Sequence, residues 1–354
     1  MCVCALMGIG LVLVYSASFV FASETYGDGL YFFKRQLVFV ALSLVGLGFA
    51  SIFPYPYLKK FFWFFFIVLI CSLVSVFAPG IGHRVGGAVR WVSLPGGLRF
   101  EPGELAKLMS PVIFAYLLTY ERKETDSKGK FLSVILMVTL LPILIMLKQP
   151  DFGSSVICFL VGATLLFCFE LPWRYMFITG VVAVPAIYAL VMGSTYRRQR
   201  VLAFLNPWAD PSHGGFQVIQ SMLSLHAGGF WGVGIGKGQG KLFFLPEAHT
   251  DFILAVLGEE TGFLGLILVL LLFSWIVFRG IQIAGQCKDP FGRRLALGLS
   301  SLIAFQAIIN TGVVTGLLPT KGLTMPFLSY GGSSLVAVSL ACGVLINIHS
   351  RSKA

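Results

Sequence analysis

Charged side chains are scarce in this sequence: they make up 12% of its 354 residues, against 57% that are apolar. A water-soluble domain of this length needs a polar surface that such a composition does not supply. With a mean hydropathy of +0.87, the chain is read as solvated largely by lipid. The start lacks a basic leader and a small-residue cleavage site, so the first apolar run, Val3 to Ala22, reads as a membrane span and not a signal peptide. A soluble basic domain is missing too. The net charge of +11 comes from 26 Lys and Arg scattered among the apolar runs, which excludes binding of a nucleic-acid duplex and favours anionic headgroups or lipid phosphates as partners. The seven cysteines have no metal-ligand spacing, so neither a disulfide nor a structural zinc is expected.

What is present is a series of apolar runs, each long enough to cross the roughly 30 Å hydrocarbon layer, separated by short polar or Gly/Pro breaks. Lipid offers no partner to a free amide, so the runs are expected to be helices. The chain therefore reads as one all-α polytopic membrane domain over 1–354, with about ten transmembrane helices near 3–22, 35–53, 61–78, 104–119, 131–147, 153–169, 175–192, 252–278, 295–317 and 331–348. No internal repeat is evident. An even count puts both termini on one side, and the short loops there carry Lys59, Lys60, Arg122, Lys123, Lys128, Lys130, Arg174, Arg279, Lys288, Arg293 and Arg294, followed by Arg351 and Lys353. By the positive-inside rule this side is cytoplasmic. The other 13 of the 26 basic residues fall on the outer side or at its boundary, and eight of these lie in two long segments, 79–103 and 193–250. Loops of that size, dense in Arg, Lys, Gly and Pro, are expected to form part of an active site; the larger joins spans seven and eight. Within it, Phe216, Ile219 and Leu223 share one helical face and Gln217, Gln220 and Ser224 another. That pattern suits a short amphipathic helix, lying either in the interface or against the bundle.

Asp251 stands where the outer loop enters the eighth span, so its carboxylate is partly desolvated and its basicity should rise. It reads as either a catalytic group or, with Thr250, a helix cap. Glu104 and Lys107 are three apart on the fourth span and form an ion pair on one helix face, either structural or positioning a substrate. Glu259 and Glu260, about two turns beyond Asp251, read as structural and need partners such as Lys107 or water. Arg197, Arg198 and Arg200 end the seventh span, and Arg84, Arg90 and Arg99 occupy the other outer loop. Their guanidinium forks either bind phosphate oxygens or snorkel to the interface. Lys237 and Lys241 sit in a glycine-rich stretch whose backbone could approach a ligand closely. The segment 319–334, PTKGLTMPFLSYGGSS, cannot be continuous helix, and broken backbone at that depth lines protein or a water-filled cavity. Ser333 and Ser334 then start the last helix, whose free amides could receive an anion. Asp151, in the tight turn Gln149-Pro150-Asp151, is read as a cap.

Taken together these motifs resemble the SEDS family (shape, elongation, division and sporulation). The resemblance is carried by VYSAS at 14–18, RW at 90–91 with FEPGELAKL from residue 100, QPDFGSS at 149–155, YRRQR at 196–200 with NPWADP at 206–211, LPEAHTDF at 245–252, GEETGFLG at 258–265 and the 319–334 segment. PTKGLT before SYGGSS is similar to the FtsW/SpoVE division and sporulation branch more than to the RodA elongation branch. The resemblance implies polymerisation of lipid II into peptidoglycan glycan strands at the outer face of the bacterial cytoplasmic membrane, at the division septum. It implies that Asp251 is the catalytic carboxylate and that Glu104, Lys107, Arg90, Arg197, Arg200, Lys241, Lys321 and Ser333 bind substrate, with no protein-held metal. It also implies a class B penicillin-binding protein transpeptidase and other division proteins as partners. The chain departs from the family pattern at Glu101 and Gly103, where Gln and Ser are common, and at Gly240-Lys241, where QK is common. It also begins almost inside its first span, without the tail common in the family.

Lipid II suits these residues, because it joins a sugar pair to a diphosphate and a polyprenyl tail. Diphosphate departs as an anion already, so one carboxylate suffices where a glycosidase needs two. Asp251 is expected to deprotonate the acceptor 4-hydroxyl, with inversion at the donor's anomeric carbon. Arg, Lys and a divalent cation, Mg or Mn, would stabilise the leaving group, and no organic cofactor is called for. The rival readings are a lipid II flippase, favoured by the broken segments, and a non-catalytic division scaffold.

Overall fold

The structure is a computed structural model that describes residues 1–85, 88–93, 99–119, 128–168, 181, 185, 192–193, 195–211, 215–241, 245–320 and 322–353; side chains are described for these except at 84–85, 88, 128–136, 195–197 and 353. Its helices are α1 (Cys2–Tyr26), α2 (Tyr31–Ile52), α3 (Pro56–Lys60), α4 (Phe62–Ser75), α5 (Pro102–Thr119), α6 (Lys128–Lys148), α7 (Phe152–Cys168), α8 (Thr195–Leu205), α9 (Phe216–Gly228), α10 (Ile253–Gln286), α11 (Pro290–Val314) and α12 (Gly332–Lys353). Nine of the ten expected spans coincide with α1, α2, α4–α7 and α10–α12. Five of these helices, α1, α2, α10, α11 and α12, are long and apolar enough to cross a membrane, and apolar stretches of α4, α6 and α7 are shorter. The chain is thus a polytopic membrane protein. The seventh expected span, 175–192, lies almost wholly outside the described residues, as do Arg122, Lys123, Arg174 and Lys321.

The chain clusters into two compact units, one of residues 1–39, 171–275 and 306–331 and one of 40–170, 276–305 and 332–354. In the first, α1 lies so close to the 326–328 backbone that a Cβ on Gly10 would overlap it. α9 confirms the helix read in the long loop, but its buried face is Val218, Ile219, Ser221 and Ser224, while Leu223 is exposed. It packs on the protein: Ser221 Oγ donates to the Val314 carbonyl (2.7 Å), and Gly228 abuts the Gly258 backbone. α10, 34 residues, is kinked at Gly262, whose φ is +69°. There the glycine-rich loop crosses it, with amides of Val233 and Gly234 donating to the carbonyls of Glu259 and Glu260 (3.0 Å each). The glycines are therefore spent on backbone meeting backbone, at Gly232 against Glu260 and Thr261 and at Gly262 against Phe230 and Gly232.

In the second unit α5 packs against α4 and α7. Phe62 of α4 stacks on Tyr116 of α5 with centroids 3.9 Å apart, and Gly162 of α7 admits the ring of Phe114. Asn347 of α12 joins two loop ends by accepting from the Tyr55 amide (3.0 Å) and donating to the Ser51 carbonyl (2.9 Å). The loop 79–103 holds an antiparallel sheet absent from the all-helical expectation, in the order β1 (Gly82–Val85), β2 (Ala88–Ser93), β3 (Arg99–Phe100). The signal for it was in the sequence: Gly86-Gly87 between Val85 and the alternating Val89-Arg90-Trp91-Val92 is hairpin chemistry.

Adding a methyl at Gly262 would combine a left-handed φ with overlap onto Phe230 and Gly232 backbone. Gly262→Ala should cost about 1–3 kcal/mol, read as a lowered melting midpoint of the detergent-solubilised protein. Gly8→Ala, with open space around it, should leave that midpoint unchanged or slightly raised; equal midpoints for the two variants would refute the packing argument.

Candidate active site

Asp251 sits in a turn just ahead of α10. Glu247, at φ +56°, accepts on its carbonyl from the amides of Thr250 (3.1 Å) and Phe252 (3.3 Å), and its carboxylate accepts from Thr250 Oγ1 (2.8 Å). The three carbonyls of residues 249–251 are each held from outside the turn. His249 O accepts from the Tyr330 amide (2.9 Å), Thr250 O from Ser329 Oγ (2.5 Å) and Asp251 O from Asn310 Nδ2 (3.0 Å). Asn310 Nδ2 also donates to Leu323 O (2.6 Å), and Ser329 Oγ accepts from the Met325 amide (2.8 Å). The broken segment after α11 is therefore the clamp of the Asp251 turn. The Asp251 side chain remains partly exposed and borders Gly322, where an added Cβ would stand 3.3 Å from Oδ2. Arg200 reaches the same segment, its Nη1 donating to Thr320 O (3.0 Å), while Arg198 is exposed. All three arginines ride on α8; the side chain of Arg197, like the whole of Lys321, lies outside the described residues.

The two acids of α10 find their partners within the same unit, with Glu260 Oε2 left outside the hydrogen bonds. Glu260 is fully buried and accepts from Lys241 Nζ (2.7 Å) and Ser16 Oγ (2.5 Å), and Lys241 Nζ also donates to Ser16 Oγ (2.8 Å). Glu259 receives the amides of Gln239 (2.6 Å) and Gly240 (3.2 Å). The expectation of Lys107 as their partner is thus corrected to Lys241 and loop amides, and the structure places Lys241 as a buried counter-ion.

In the second unit Lys107 Nζ and Glu104 Oε1 are 2.7 Å apart, both side chains buried. An Arg90 Nη2 to Pro150 O hydrogen bond ties the sheet to the 149–151 turn. Gln149 Nε2 donates to Leu73 O (2.6 Å), and Asp151 caps α7 by accepting from the Ser154 amide (3.2 Å). Ser333, in the first turn of α12, accepts on its hydroxyl from the Glu101 amide (3.1 Å). Burial, then the Glu104 and Asp151 charges, hold the Glu101 carboxyl well above its usual range, against the pull of Lys107 and Arg90. The unit thus brings Arg90, Glu101, Glu104, Lys107 and Asp151 into one electrostatic cluster. Sequence reasoning missed Asn310 and Ser329. A lone Asn in an apolar run was the available signal for the first, since an amide in such a run needs an internal partner.

The family described as "Cell cycle protein", FtsW/RodA/SpoVE, matches residues 1–354. The chain belongs to this family. A "Probable peptidoglycan glycosyltransferase FtsW" of Geobacter sulfurreducens is 45% identical, with 99% of this chain and 93% of the relative covered. "Stage V sporulation protein E" of Bacillus subtilis is 39% identical, at 98% and 95% coverage. Among solved structures, a chain of a peptidoglycan synthase complex that coordinates polymerization and crosslinking aligns with TM-score 0.78 and 27% identity over 99% of this chain and 96% of that one. The rod shape determining protein RodA of Thermus thermophilus aligns with TM-score 0.73 and 25% identity over 100% and 96%.

Removing the ammonium at Lys241 would strand the Glu260 carboxylate in a low-dielectric interior. Lys241→Met should destabilise by about 3–5 kcal/mol, and adding Glu260→Gln should restore much of the loss, measured as melting midpoints in detergent. A single variant as stable as the parent would show the pair to be dispensable.

Proposed function

We propose that Asp251 is the catalytic base of a lipid II polymerase, on the strength of one observation: three consecutive carbonyls of its turn are fixed while its carboxylate stays partly open beside Gly322. The chain is a peptidoglycan glycosyltransferase of the FtsW/SpoVE branch. The carboxylate removes the proton of the acceptor 4-hydroxyl as that oxygen bonds to the donor's anomeric carbon, and the bond from that carbon to the polyprenyl diphosphate breaks with inversion. A fixed base contributes through orientation as well as proton affinity, because a near-attack geometry replaces an entropic search. The leaving diphosphate is already anionic and needs cations, not an acid. Arg197, Arg200 and Lys321 are the proposed cations of the first unit. Glu104, Lys107, Arg90 and Ser333 are proposed to bind substrate in the second, where the Lys107 charge is oriented by Glu104. Lys241 is proposed only as support, since Glu260 and Ser16 hold its ammonium.

No group of three or more His, Cys, Asp or Glu among the described residues is arranged to hold a metal. A divalent cation, Mg or Mn, is proposed to join the arginines and lysines in stabilising the departing diphosphate. The proposed partner is a class B penicillin-binding transpeptidase, a reading supported by the alignment to a peptidoglycan synthase complex. The proposed setting is the division septum, with both termini cytoplasmic and the loops 79–103 and 193–250 on the outer face. The non-helical stretch between α11 and α12 favours a second reading, a transporter of the lipid-linked precursor.

Asp251→Asn keeps the turn's carbonyls and the side chain's shape but loses the base. It should lower polymer formation from lipid II, assayed in detergent with the partner transpeptidase, by at least about 100-fold, at an unchanged melting midpoint. Full polymerisation by this variant would remove the assignment; a parent protein inert in detergent but active in moving lipid II between leaflets would favour the transporter.

A further inference from the structure

His249, two residues before Asp251, is gripped twice. Its carbonyl accepts from the Tyr330 amide, and its imidazole lies among three rings from three parts of the first unit. Phe21 of α1 stacks on it at 5.8 Å and 25°, Phe32 of α2 meets it at 4.6 Å, and Tyr330 of the broken segment at 5.9 Å. The box closes on itself, since Phe32 meets Tyr330 edge-on at 5.0 Å, Tyr31 at 5.2 Å and Tyr26 at 5.7 Å. Aromatic pairs at such distances and angles stabilise beyond simple burial and fix a ring's plane where an aliphatic contact would not. The Tyr330 amide and the three rings together hold the His249 end of the Asp251 turn.

We infer that His249 is a positioning residue of the reaction: an uncharged flat ring, boxed by Phe21, Phe32 and Tyr330, that sets the turn aiming the Asp251 carboxylate. The inference rests on the reading of Asp251 as the base. The titratable and charged groups facing the box are Glu247 on the same turn, Tyr26 of α1, Tyr31 and Arg35 of α2, and Tyr330. Arg35 sits 4.5 Å over the Tyr31 ring, and its charge acts on the Tyr330 hydroxyl. Only Glu247 among them offers a negative charge to an imidazolium, and burial outweighs it, holding the imidazole below its ordinary range. A histidine with a lowered folded pKa costs stability as pH falls below its ordinary value of about 6.5, because the open form takes the proton first. The box therefore loosens on the acid side and is whole at neutral pH.

The test is polymerisation of lipid II in detergent by the full chain with its partner transpeptidase, with kcat and KM followed from about pH 5 to about pH 8, beside the melting midpoint of each variant. His249→Ala should lower kcat by roughly tenfold to a hundredfold with KM little changed. His249→Phe, flat and uncharged, should rescue most of that loss and flatten the acid limb of the pH profile. A parental kcat for His249→Ala, or a His249→Phe variant as inactive as Asp251→Asn at a parental melting midpoint, would overturn the positioning role; the second result would make the ring nitrogen a chemical participant. If Asp251→Asn itself polymerises, the assignment of the base fails; if it is inactive while His249→Ala is unimpaired, only the present inference fails.

Discussion

Backbone that leaves the helix inside a membrane protein must find internal partners for its amides and carbonyls, because lipid offers none. The segment between α11 and α12 meets that demand by pairing with a second interrupted stretch, the turn before α10. Each supplies what the other lacks: the turn offers three carbonyls in a row, and the segment and α11 offer the Tyr330 amide, the Ser329 hydroxyl and the Asn310 amide. Two irregular pieces, each untenable alone, make one rigid body. Rigidity where a reacting group must be aimed is then a consequence of solvation by lipid, not an added feature.

The same constraint orders the charges. A buried carboxylate in a low dielectric is tolerable only with close donors. Glu260 has Lys241 and Ser16, Glu259 has two loop amides, and Glu104 has Lys107. The first two acids fasten the glycine-rich loop to the Gly262 kink of α10, which is why the loop needs glycine at crossings of main chain on main chain. Charge and glycine here are one device for carrying a loop over a helix.

Much of this was legible in the sequence. Nine spans, the broken 319–334 segment, the cap at Asp151 and the Glu104–Lys107 pair follow from hydropathy, Pro/Gly punctuation and i,i+3 spacing, all of which act locally. What escaped depends on distant partners. The choice of Lys241 for Glu260 is made across 19 residues and joined by Ser16 of α1, 244 residues from Glu260. The buried face of α9 is set by its partners at Val314 and Gly258, so periodicity alone did not say that Ile219 would be covered and Leu223 exposed. The small sheet was overlooked because composition pointed to helix throughout, although the Gly-Gly pair at 86–87 carried the local signal.

Glu101 and Gly103, which stand where the resemblance implies Gln and Ser, also have a physical account. A carboxyl at Glu101 is pressed by burial and by Glu104 and Asp151 toward its protonated form, and a neutral carboxylic acid presents one donor and one acceptor oxygen much as a glutamine amide does. The substitution of an acid for an amide is thereby softened by the acids already beside it. Gly103 serves the same crowding: a Cβ there would run into Asp151 Oδ2 and stand 3.1 Å from Ser154 Oγ. A bare backbone at 103 leaves Asp151 room to cap α7, where its charge joins burial and Glu104 in raising the Glu101 carboxyl above its usual range.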